Sequence, residues 1–293
     1  MNKNTGYKPS DLDLPLINSF ISAAFAEDVH DGDHTSLSTI PADAIDKAQL
    51  IVKDNGILAG VALARIIFAH LDPKIKMNVF ISDGSIVEKG QVAFEVEGPA
   101  RSILTAERLV LNCMQRMSGI ATTTWQLVKL LDGLKTNVID TRKTTPCFRY
   151  FEKWAVRIGG GANHRFGLYD MILIKDNHVD YAGGISNAIH AANKYLAEKN
   201  LTLDIEIEVR NFVELEEVLA TGNIKRIMLD NFTAEDLRKA ITIIDKRFET
   251  EASGGITANS IRKYAESGVD FISVGALTHS IRSLDLSLKA VRK

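Results

Sequence analysis

Basic side chains are concentrated between Arg142 and Arg165, more densely than elsewhere in this 293-residue chain. This stretch has a net charge of about +5, with Glu152 as its only acid, whereas the whole chain has a formal net charge of −2. A local excess of this size in a nearly neutral protein favours a small, multiply charged anion as ligand over a long polyanion. The cations are Arg142, Lys143, Arg149, Lys153, Arg157 and Arg165.

Two further features add to this predicted anion site. His164 and Arg165 follow three consecutive glycines, residues 159–161, where missing side chains let a ligand approach the backbone closely. Lys175 comes directly after the apolar residues 171–174, which predict a buried strand. Its ammonium group must therefore point into the mouth formed by the strand ends, or be buried unpaired at a large free-energy cost. A functional role for Lys175 is therefore favoured over a structural ion pair.

The elements that position these residues change along the chain. Residues 12–27 have the apolar spacing of a helix, and residues 48–98 alternate as short strands separated by turns. Residues 103–132 are amphipathic and predict two successive helices with a break at Ser118 and Gly119. We expect an N-terminal α+β domain over residues 1–115, a second domain over 116–277, and a C-terminal helix near 278–293 that packs back onto the first domain.

After Leu134 the sequence becomes a series of short apolar strands, each followed by a loop or helix, which is typical of parallel β/α architecture. The carboxyl ends of such strands meet at one mouth of a barrel, where active sites lie. Glycines at residues 253–256 and 274–277 are typical of a barrel phosphate site. The predicted fold is a TIM-like α/β barrel, complete or incomplete, with a smaller N-terminal α+β sandwich domain. The strand ends carry Arg142, Lys143, Lys175, Glu208, Asp230 and Ser253.

Glu206 and Glu208 lie two residues apart on one strand and therefore share a face. Together with Asp230 at the next strand end, they suggest Mg²⁺ beside a phosphate, or alternatively a negative charge that balances Lys175. Both interpretations stay open at this point. His30, His34 and His70 have no matching ligand set and are expected on the surface.

Composition excludes several classes of protein. The chain is 45% hydrophobic and 25% charged, with no apolar run of the roughly 18 residues that cross a bilayer and no apolar signal-peptide stretch at its N-terminus. A pI near 6.4 argues against a nucleic-acid or membrane-surface partner. Cys113 and Cys147 have no metal-ligand spacing, and we expect reduced thiols in a cytoplasmic protein.

Ordered sequence motifs resemble those of the quinolinate phosphoribosyltransferase family over nearly the whole chain. They are D-T-R-K-T-T-P (140–146), G-G-G-A-N-H-R (159–165), L-I-K-D-N-H (173–178), E-I-E-V (206–209), L-D-N (229–231) and S-G-G-I (253–256), together with the helical motif at 107–122. The resemblance implies transfer of phosphoribosyl from 5-phosphoribosyl-1-pyrophosphate to quinolinate with decarboxylation, which yields nicotinate mononucleotide for NAD biosynthesis. It also implies a requirement for Mg²⁺ and a homodimer, or a higher assembly, with shared active sites.

The resemblance also implies roles for individual residues. Lys143, Lys175, Glu208 and Asp230 are the expected catalytic residues, and Glu208 and Asp230 the expected metal-site acids. Arg108 matches an arginine contributed by the partner subunit. The positions that match the family's quinolinate-carboxylate site are Arg142, Lys143, His164, Arg165 and Lys175. Those that match its ribose-phosphate site are Ser253, Gly254, Gly255 and Gly275. The full set of expected substrate-binding residues is Arg108, Thr141, Arg142, Lys143, His164, Arg165, Lys175, Glu208, Asp230, Ser253, Gly254, Gly255, Ser273 and Gly275.

One departure from the family pattern is visible. Cys147 and Phe148 stand where the family usually has glycine and leucine, which suggests a stiffer or shifted loop before Arg149. Three other functions stay open from the residues alone: a related enzyme acting on another carboxylated ring, a Schiff-base aldolase using Lys175, and a non-enzymatic binder of small anions.

Overall fold

The computed structural model describes residues 12–291, which divide into two compact units. Of the described residues, the first unit comprises 12–125, 145–160 and 280–291. The second comprises residues 126–144 and 161–279. Residues 1–11, where the sequence analysis expects no signal peptide, lie outside the described part.

Helices and strands are numbered here in chain order. They are α1 (Leu14–Asp28), α2 (His34–Thr39), β1 (Ile45–Val52), β2 (Gly56–Ile57), α3 (Val61–Leu71), β3 (Lys76–Val79), β4 (Ile86–Val87), β5 (Val92–Pro99), α4 (Ala100–Leu130), β6 (Asn137–Ile139), α5 (Arg149–Ile158), β7 (Ile172–Ile174), α6 (Asp176–Ala182), α7 (Ile185–Lys199), β8 (Ile205–Val209), α8 (Phe212–Thr221), β9 (Arg226–Asp230), α9 (Ala234–Ile244), β10 (Glu249–Ser253), α10 (Ile261–Ala265), β11 (Phe271–Ser273), α11 (Ala276–His279) and β12 (Leu286–Ala290).

The first unit is built on a four-stranded antiparallel sheet in the order β12-β1-β5-β3. Alternate residues of β1 and β5 are buried, with Leu50 opposite Phe94 in the register, which is the pattern of a sheet covered on one face. Helix α1 begins where Asp13 accepts the backbone N–H of Leu16 at 3.0 Å. The predicted N-terminal helix is confirmed, and the predicted strands correspond to β1, β3 and β5. The prediction of strands and turns alone over residues 48–98 is wrong at residues 61–71, which form α3.

The predicted break at Ser118 and Gly119 is wrong, because α4 continues through both residues. Ser118 Oγ accepts the N–H of Ala59 at 2.9 Å and donates to its carbonyl at 3.1 Å. A Cβ on Gly119 would overlap the backbone carbonyl of Arg282. These small residues therefore allow close packing against a neighbouring backbone, and they do not end the helix.

The predicted C-terminal helix near residues 278–293 is also wrong. This segment forms β12, which pairs antiparallel with β1 and places Leu288 opposite Leu50. The physical reason is the two-residue period of Leu284, Leu286 and Leu288, which buries all three on one face.

The second unit contains a six-stranded parallel sheet in the order β6-β11-β10-β9-β8-β7, with helices between successive strands. This is the predicted α/β-barrel class, with six strands. Within residues 12–291, β6 and β7 at the two ends of this order are not paired with each other. Ala162 forms a further parallel bridge to Ile139 of β6.

Cys147 and Phe148, which depart from the family pattern, differ in how well they suit their places in the fold. Cys147 has φ of 61°, the left-handed conformation that glycine adopts without strain, so the family's glycine suits this backbone better than cysteine. Phe148 packs with its ring centroid 5.4 Å from that of Phe20 and 4.9 Å from that of Phe151.

In the described part of the chain, no helix has the length and apolar character to span a membrane.

The packing of Gly119 predicts the effect of adding one methyl group. Gly119→Ala is expected to destabilise the protein by about 1–3 kcal/mol, because the overlap with the Arg282 carbonyl outweighs the better helix propensity of alanine. Urea unfolding measures the difference. Asn112→Ala, at an exposed position of the same helix, is the control and should not lower stability. Wild-type stability in Gly119→Ala would contradict the packing described for α4.

Candidate active site

A cavity of about 890 Å³ lies in the second unit at the carboxyl ends of the parallel strands. Most of the residues predicted for the site line it, because parallel strands direct their carboxyl ends to one side of a sheet. The predicted residues on its wall are Thr141, Arg142, Lys143, His164, Arg165, Lys175, Glu208, Asp230, Ser253, Gly254, Gly255, Ser273 and Gly275.

Several other basic residues of the chain lie in the first unit. Arg108 is exposed on α4 in the first unit and is not among the residues that line this cavity. Arg149, Lys153 and Arg157 lie on α5, also in the first unit. The dense positive stretch of the sequence therefore divides between two units. Arg142, Lys143 and Arg165, which the resemblance assigns to the substrate, are the cations of this stretch that line the cavity.

The second unit nevertheless brings four cations to one cavity: Arg142, Lys143, Arg165 and Lys175. Burial lowers the pKa of Arg165 and the charge of Arg142 lowers it further, while Glu206 and Asp170 act in the opposite direction. Arg165 Nη1 donates to the carbonyl of Met171 at 3.2 Å. The Arg165 guanidinium is thus oriented by backbone and charge before any ligand is bound.

Acidic side chains stand beside these cations at the outer part of the cavity. Lys175 Nζ lies 3.9 Å from Glu208 Oε2. Burial raises the pKa of Glu208, the nearby charge of Asp230 raises it further, and Lys175 opposes both. Asp230 Oδ2 accepts the side-chain amide of Asn231 at 2.6 Å, which fixes this carboxylate at the end of β9. Both earlier interpretations of Glu208, a partner of Lys175 and a metal-site acid, are compatible with this geometry.

Two glycine loops complete the wall. Gly254 and Gly255 have φ of 98° and 60°, conformations that favour glycine. A Cβ on Gly254 would overlap Asn231, whereas a Cβ on Gly255 would meet nothing within 4 Å. A Cβ on Gly275 would lie 3.1 Å from Lys143 Cδ, so this glycine leaves room for the lysine. Such loops can present backbone N–H groups to a phosphate.

Sequence reasoning missed several residues that shape the cavity. Asp140 is fully buried and accepts the N–H of His164 at 2.9 Å and the amide of Asn163 at 2.6 Å. Glu251 lines the cavity, and its position two residues before Ser253 on the same face of β10 was a signal that could have revealed it. His279 also lines the cavity, and no local sequence pattern pointed to it.

Deeper in the barrel, Glu206 and Glu251 form a buried acidic pair. Burial raises the pKa of Glu206 to about 7. Burial, reinforced by the charge of Glu206, raises the pKa of Glu251 to about 8. Ligand atoms of His164, Glu206 and Glu251 lie within 4.8 Å of one another, close enough to hold a metal ion. However, Arg226 Nη1 already stands 3.3 Å from Glu251 Oε2 and supplies a cation there.

Four converging cations and phosphate-type glycine loops at the mouth of a parallel α/β barrel define a class of barrel proteins that bind phosphorylated, multiply charged anions. Residues 33–118 match the family "Quinolinate phosphoribosyl transferase, N-terminal domain", and residues 120–289 match its C-terminal domain. The chain belongs to the quinolinate phosphoribosyl transferase family.

Relatives in plants and bacteria support this assignment. The chain is 47% identical to the chloroplastic nicotinate-nucleotide pyrophosphorylase [carboxylating] of Arabidopsis thaliana, over 97% of this chain and 85% of that protein. It is 42% identical to the probable nicotinate-nucleotide pyrophosphorylase [carboxylating] of Bacillus subtilis, over 93% and 91%. The crystal structure of NadC from Streptococcus pyogenes is 38% identical with a TM-score of 0.89, covering 96% of this chain and 99% of that one.

The buried acidic pair predicts a specific dependence of stability on pH. A carboxyl group whose pKa rises on folding binds more protons in the native than in the unfolded chain, so its contribution to stability falls as pH rises. For Glu251, the pH interval over which this contribution falls runs from 4.5, the usual pKa of the group, to about 8, its pKa in the folded chain. Glu251→Gln should therefore gain stability relative to wild type across it, by at most about 1.4 kcal/mol per pH unit for one proton. Urea unfolding at pH 5 to 9 measures this, and a constant difference would contradict it.

Proposed function

We propose that this chain transfers phosphoribosyl from 5-phosphoribosyl-1-pyrophosphate to quinolinate and decarboxylates the product, giving nicotinate mononucleotide, pyrophosphate and CO2 for NAD biosynthesis. The observation that carries the proposal is one cavity with four cations and two glycine loops, in a member of this family. The curated relatives carry names for the same activity.

The cations provide the site for the acceptor. Quinolinate carries two adjacent carboxylates, which require more than one positive partner in a partly dehydrated cavity. Arg142 and Arg165 offer planar donor pairs suited to carboxylates, and Lys143 and Lys175 offer compact charges. The small volume of the cavity, about 890 Å³, suits two small molecules and no long polyanion.

The glycine loops provide the site for the donor. Ser253 ends β10 and is followed by Gly254 and Gly255, while Ser273 ends β11 and is followed two residues later by Gly275. Both segments line the same cavity and can present hydroxyl and N–H groups to one ligand. We assign the ribose phosphate to them. Thr141 lies on the neighbouring strand end and adds a hydroxyl group to the same wall.

Glu208 and Asp230 provide negative charge near the anomeric carbon. As the bond to pyrophosphate breaks, positive charge develops on the ribosyl ring, and fixed carboxylates stabilise that charge. Mg²⁺ fits the same pair, because hard carboxylate oxygens with access to a phosphate and water are the ligands it takes. Bound there, Mg²⁺ would neutralise the leaving pyrophosphate. Lys175, close to Glu208, would hold the acceptor against the same carbon.

Decarboxylation follows from the product of the first step. Once the sugar is attached, the pyridinium nitrogen is positive and stabilises the electron pair that stays on the adjacent ring carbon as CO2 departs. A proton from solvent then completes nicotinate mononucleotide. Lys143 and Arg165 hold the remaining carboxylate and keep the ring in place during this step.

A direct assay tests the proposed function. Wild-type protein incubated with quinolinate, 5-phosphoribosyl-1-pyrophosphate and Mg²⁺ is expected to form nicotinate mononucleotide and CO2, detected by chromatography and radiolabel release. Lys175→Ala is expected to lose at least a hundredfold in turnover, because one charge close to the reacting atoms disappears. Nicotinate in place of quinolinate tests for a related ring as substrate. Product from nicotinate alone, or covalent trapping of Lys175 by borohydride, would contradict the proposal.

Glu208 and Asp230 are expected to act in turnover. Glu208→Gln with Asp230→Asn keeps side-chain volume but removes both charges, so turnover should fall by about 100-fold or more while quinolinate affinity stays near wild type. Initial rates over a Mg²⁺ titration and calorimetric binding of quinolinate measure the two effects. Normal turnover of the double variant at saturating Mg²⁺ would leave the pair with a structural role only.

Arg108 is the basis of a proposal for assembly. It is exposed on α4 and does not line the cavity, so we assign it to the site of a partner subunit in a homodimer. Arg108→Ala and Lys175→Ala chains carrying different tags should each be inactive alone. Purified heterodimers should regain about half of wild-type activity, because one of their two sites then has both residues intact. Inactive heterodimers would show that Arg108 acts within its own chain.

A further inference from the structure

A cluster of buried polar side chains extends from the cavity wall into the barrel interior, and the reaction proposed above assigns it no chemical step. Glu206 and Glu251 are 0% exposed, and His164 is 8% exposed. Arg226 completes the cluster at the start of β9. Layers of valine, isoleucine and leucine usually fill the interior of such barrels, so four ionisable groups at this depth are unusual.

The cluster is connected to the cavity wall through His164. His164 Nε2 lies 3.0 Å from Glu206 Oε2 and 3.5 Å from Glu251 Oε2. The other ring nitrogen, Nδ1, accepts the backbone N–H of Arg165 at 2.6 Å. Because an accepting nitrogen carries no proton, the ring proton of a neutral His164 is on Nε2, the nitrogen that lies 3.0 Å from Glu206 Oε2. The imidazole thus bridges the pair and the backbone of Arg165.

Stability alone does not account for this arrangement. Arg226 Nη1 lies 3.3 Å from Glu251 Oε2 and 3.9 Å from Glu206 Oε2, so one guanidinium serves two buried carboxylates. Arg226 is also shared with Glu249, whose Oε2 lies 3.0 Å from Nη2. Well-packed hydrophobic residues of similar size often stabilise a protein as well as a buried ionic cluster does. The feature that hydrophobic residues could not supply is the pair of acceptors facing His164.

Arg165 also depends on the charge of the cluster. Burial and Arg142 both disfavour its positive charge, and Glu206 is one of the two acids that favour it. The second, Asp170, accepts the backbone N–H groups of Phe166 and Gly167 at 2.6 and 2.7 Å and so shapes the loop after Arg165. Glu206 therefore acts on Arg165 in two ways, through the imidazole and through its own charge.

We propose that Glu206 and Glu251 are positioning residues for recognition of the aromatic dicarboxylate. They hold His164 in one ring orientation, and His164 with Glu206 holds Arg165 at the cavity wall in the geometry that accepts a carboxylate. The proposal rests on the proposed function, which assigns Arg165 to quinolinate. It extends the acceptor site into the barrel interior.

Steady-state kinetics test this role. Glu206→Gln and Glu251→Gln are each expected to raise the KM for quinolinate about tenfold, the equivalent of about 1.4 kcal/mol, and to leave the KM for 5-phosphoribosyl-1-pyrophosphate within about twofold. Glu249→Gln is the matched control, because Glu249 pairs with the same Arg226 and with Lys225 but lies at the start of the strand, 34% exposed. It should leave both KM values within about twofold of wild type.

A purely structural role would give a different result. It would lower the fraction of active enzyme, and thus kcat, without selecting one substrate. Equal effects on both KM values, or an equal rise in Glu249→Gln, would overturn the proposal. Glu206→Asp provides a second variant should the glutamine forms fold poorly. It retains the charge near Arg226 but shortens the reach to His164, and it is expected to raise the quinolinate KM as well.

A spectroscopic measurement separates this proposal from the proposed function. In protein labelled with ¹⁵N-histidine, the His164 resonance, identified by its loss in His164→Gln, should show a protonated Nε2 and an unprotonated Nδ1. This signature should change in Glu206→Gln and persist in Glu249→Gln. An unchanged signature in both would overturn the proposal whether or not the enzyme is active. Stoichiometric metal in the purified protein that is lost in Glu251→Gln would overturn it in favour of a metal site.

Discussion

Repulsion among the cations of one cavity is the constraint on which the rest of the site depends. Arg142, Lys143, Arg165 and Lys175 line the same wall, and the charge of Arg142 already lowers the pKa of Arg165. Long basic side chains in this situation tend to turn towards solvent, which lowers their energy but removes them from the ligand. The fold must therefore supply nearby negative charge without occupying the space that a dicarboxylate needs.

Carboxylates that contact the backbone next to the cations supply the negative charge. Asp140 and Asp170 accept backbone N–H groups on either side of Arg165, so they fix the loop without entering the cavity. Lys143 is held through its carbonyl, which accepts the hydroxyl of Thr278 at 2.8 Å. Because these contacts exist before a ligand arrives, less conformational entropy is lost on binding. Preorganised charge of this kind also stabilises a transition state more effectively than water does.

The sequence was informative where a periodic pattern ended in a polar residue. Lys175, Asp230 and Ser253 were predicted at the cavity because each stands at the carboxyl end of a predicted strand, and parallel strands bring such ends together. The prediction failed where a residue's role depends on a distant part of the chain. Gly119 looked like a helix break because nothing local shows that the Arg282 carbonyl approaches it. Asp140 gave no signal of its contact with His164, since a buried acid is recognised only by the N–H groups that surround it in three dimensions.

Strand β8 connects the two halves of the proposed chemistry through its register. Glu206 and Glu208 lie two residues apart on one face, the first fully buried next to His164 and the second beside Lys175. The register is set on both sides, with Glu206 opposite Leu173 of β7 and opposite Arg226 of β9. A slip of one residue would turn both carboxylates to the other face of the sheet at once. Recognition of the acceptor and stabilisation of the ribosyl cation are thus tied to one strand pairing. The apolar residues that alternate with these acids, Ile205, Ile207 and Val209, are buried on the opposite face and hold that pairing in place.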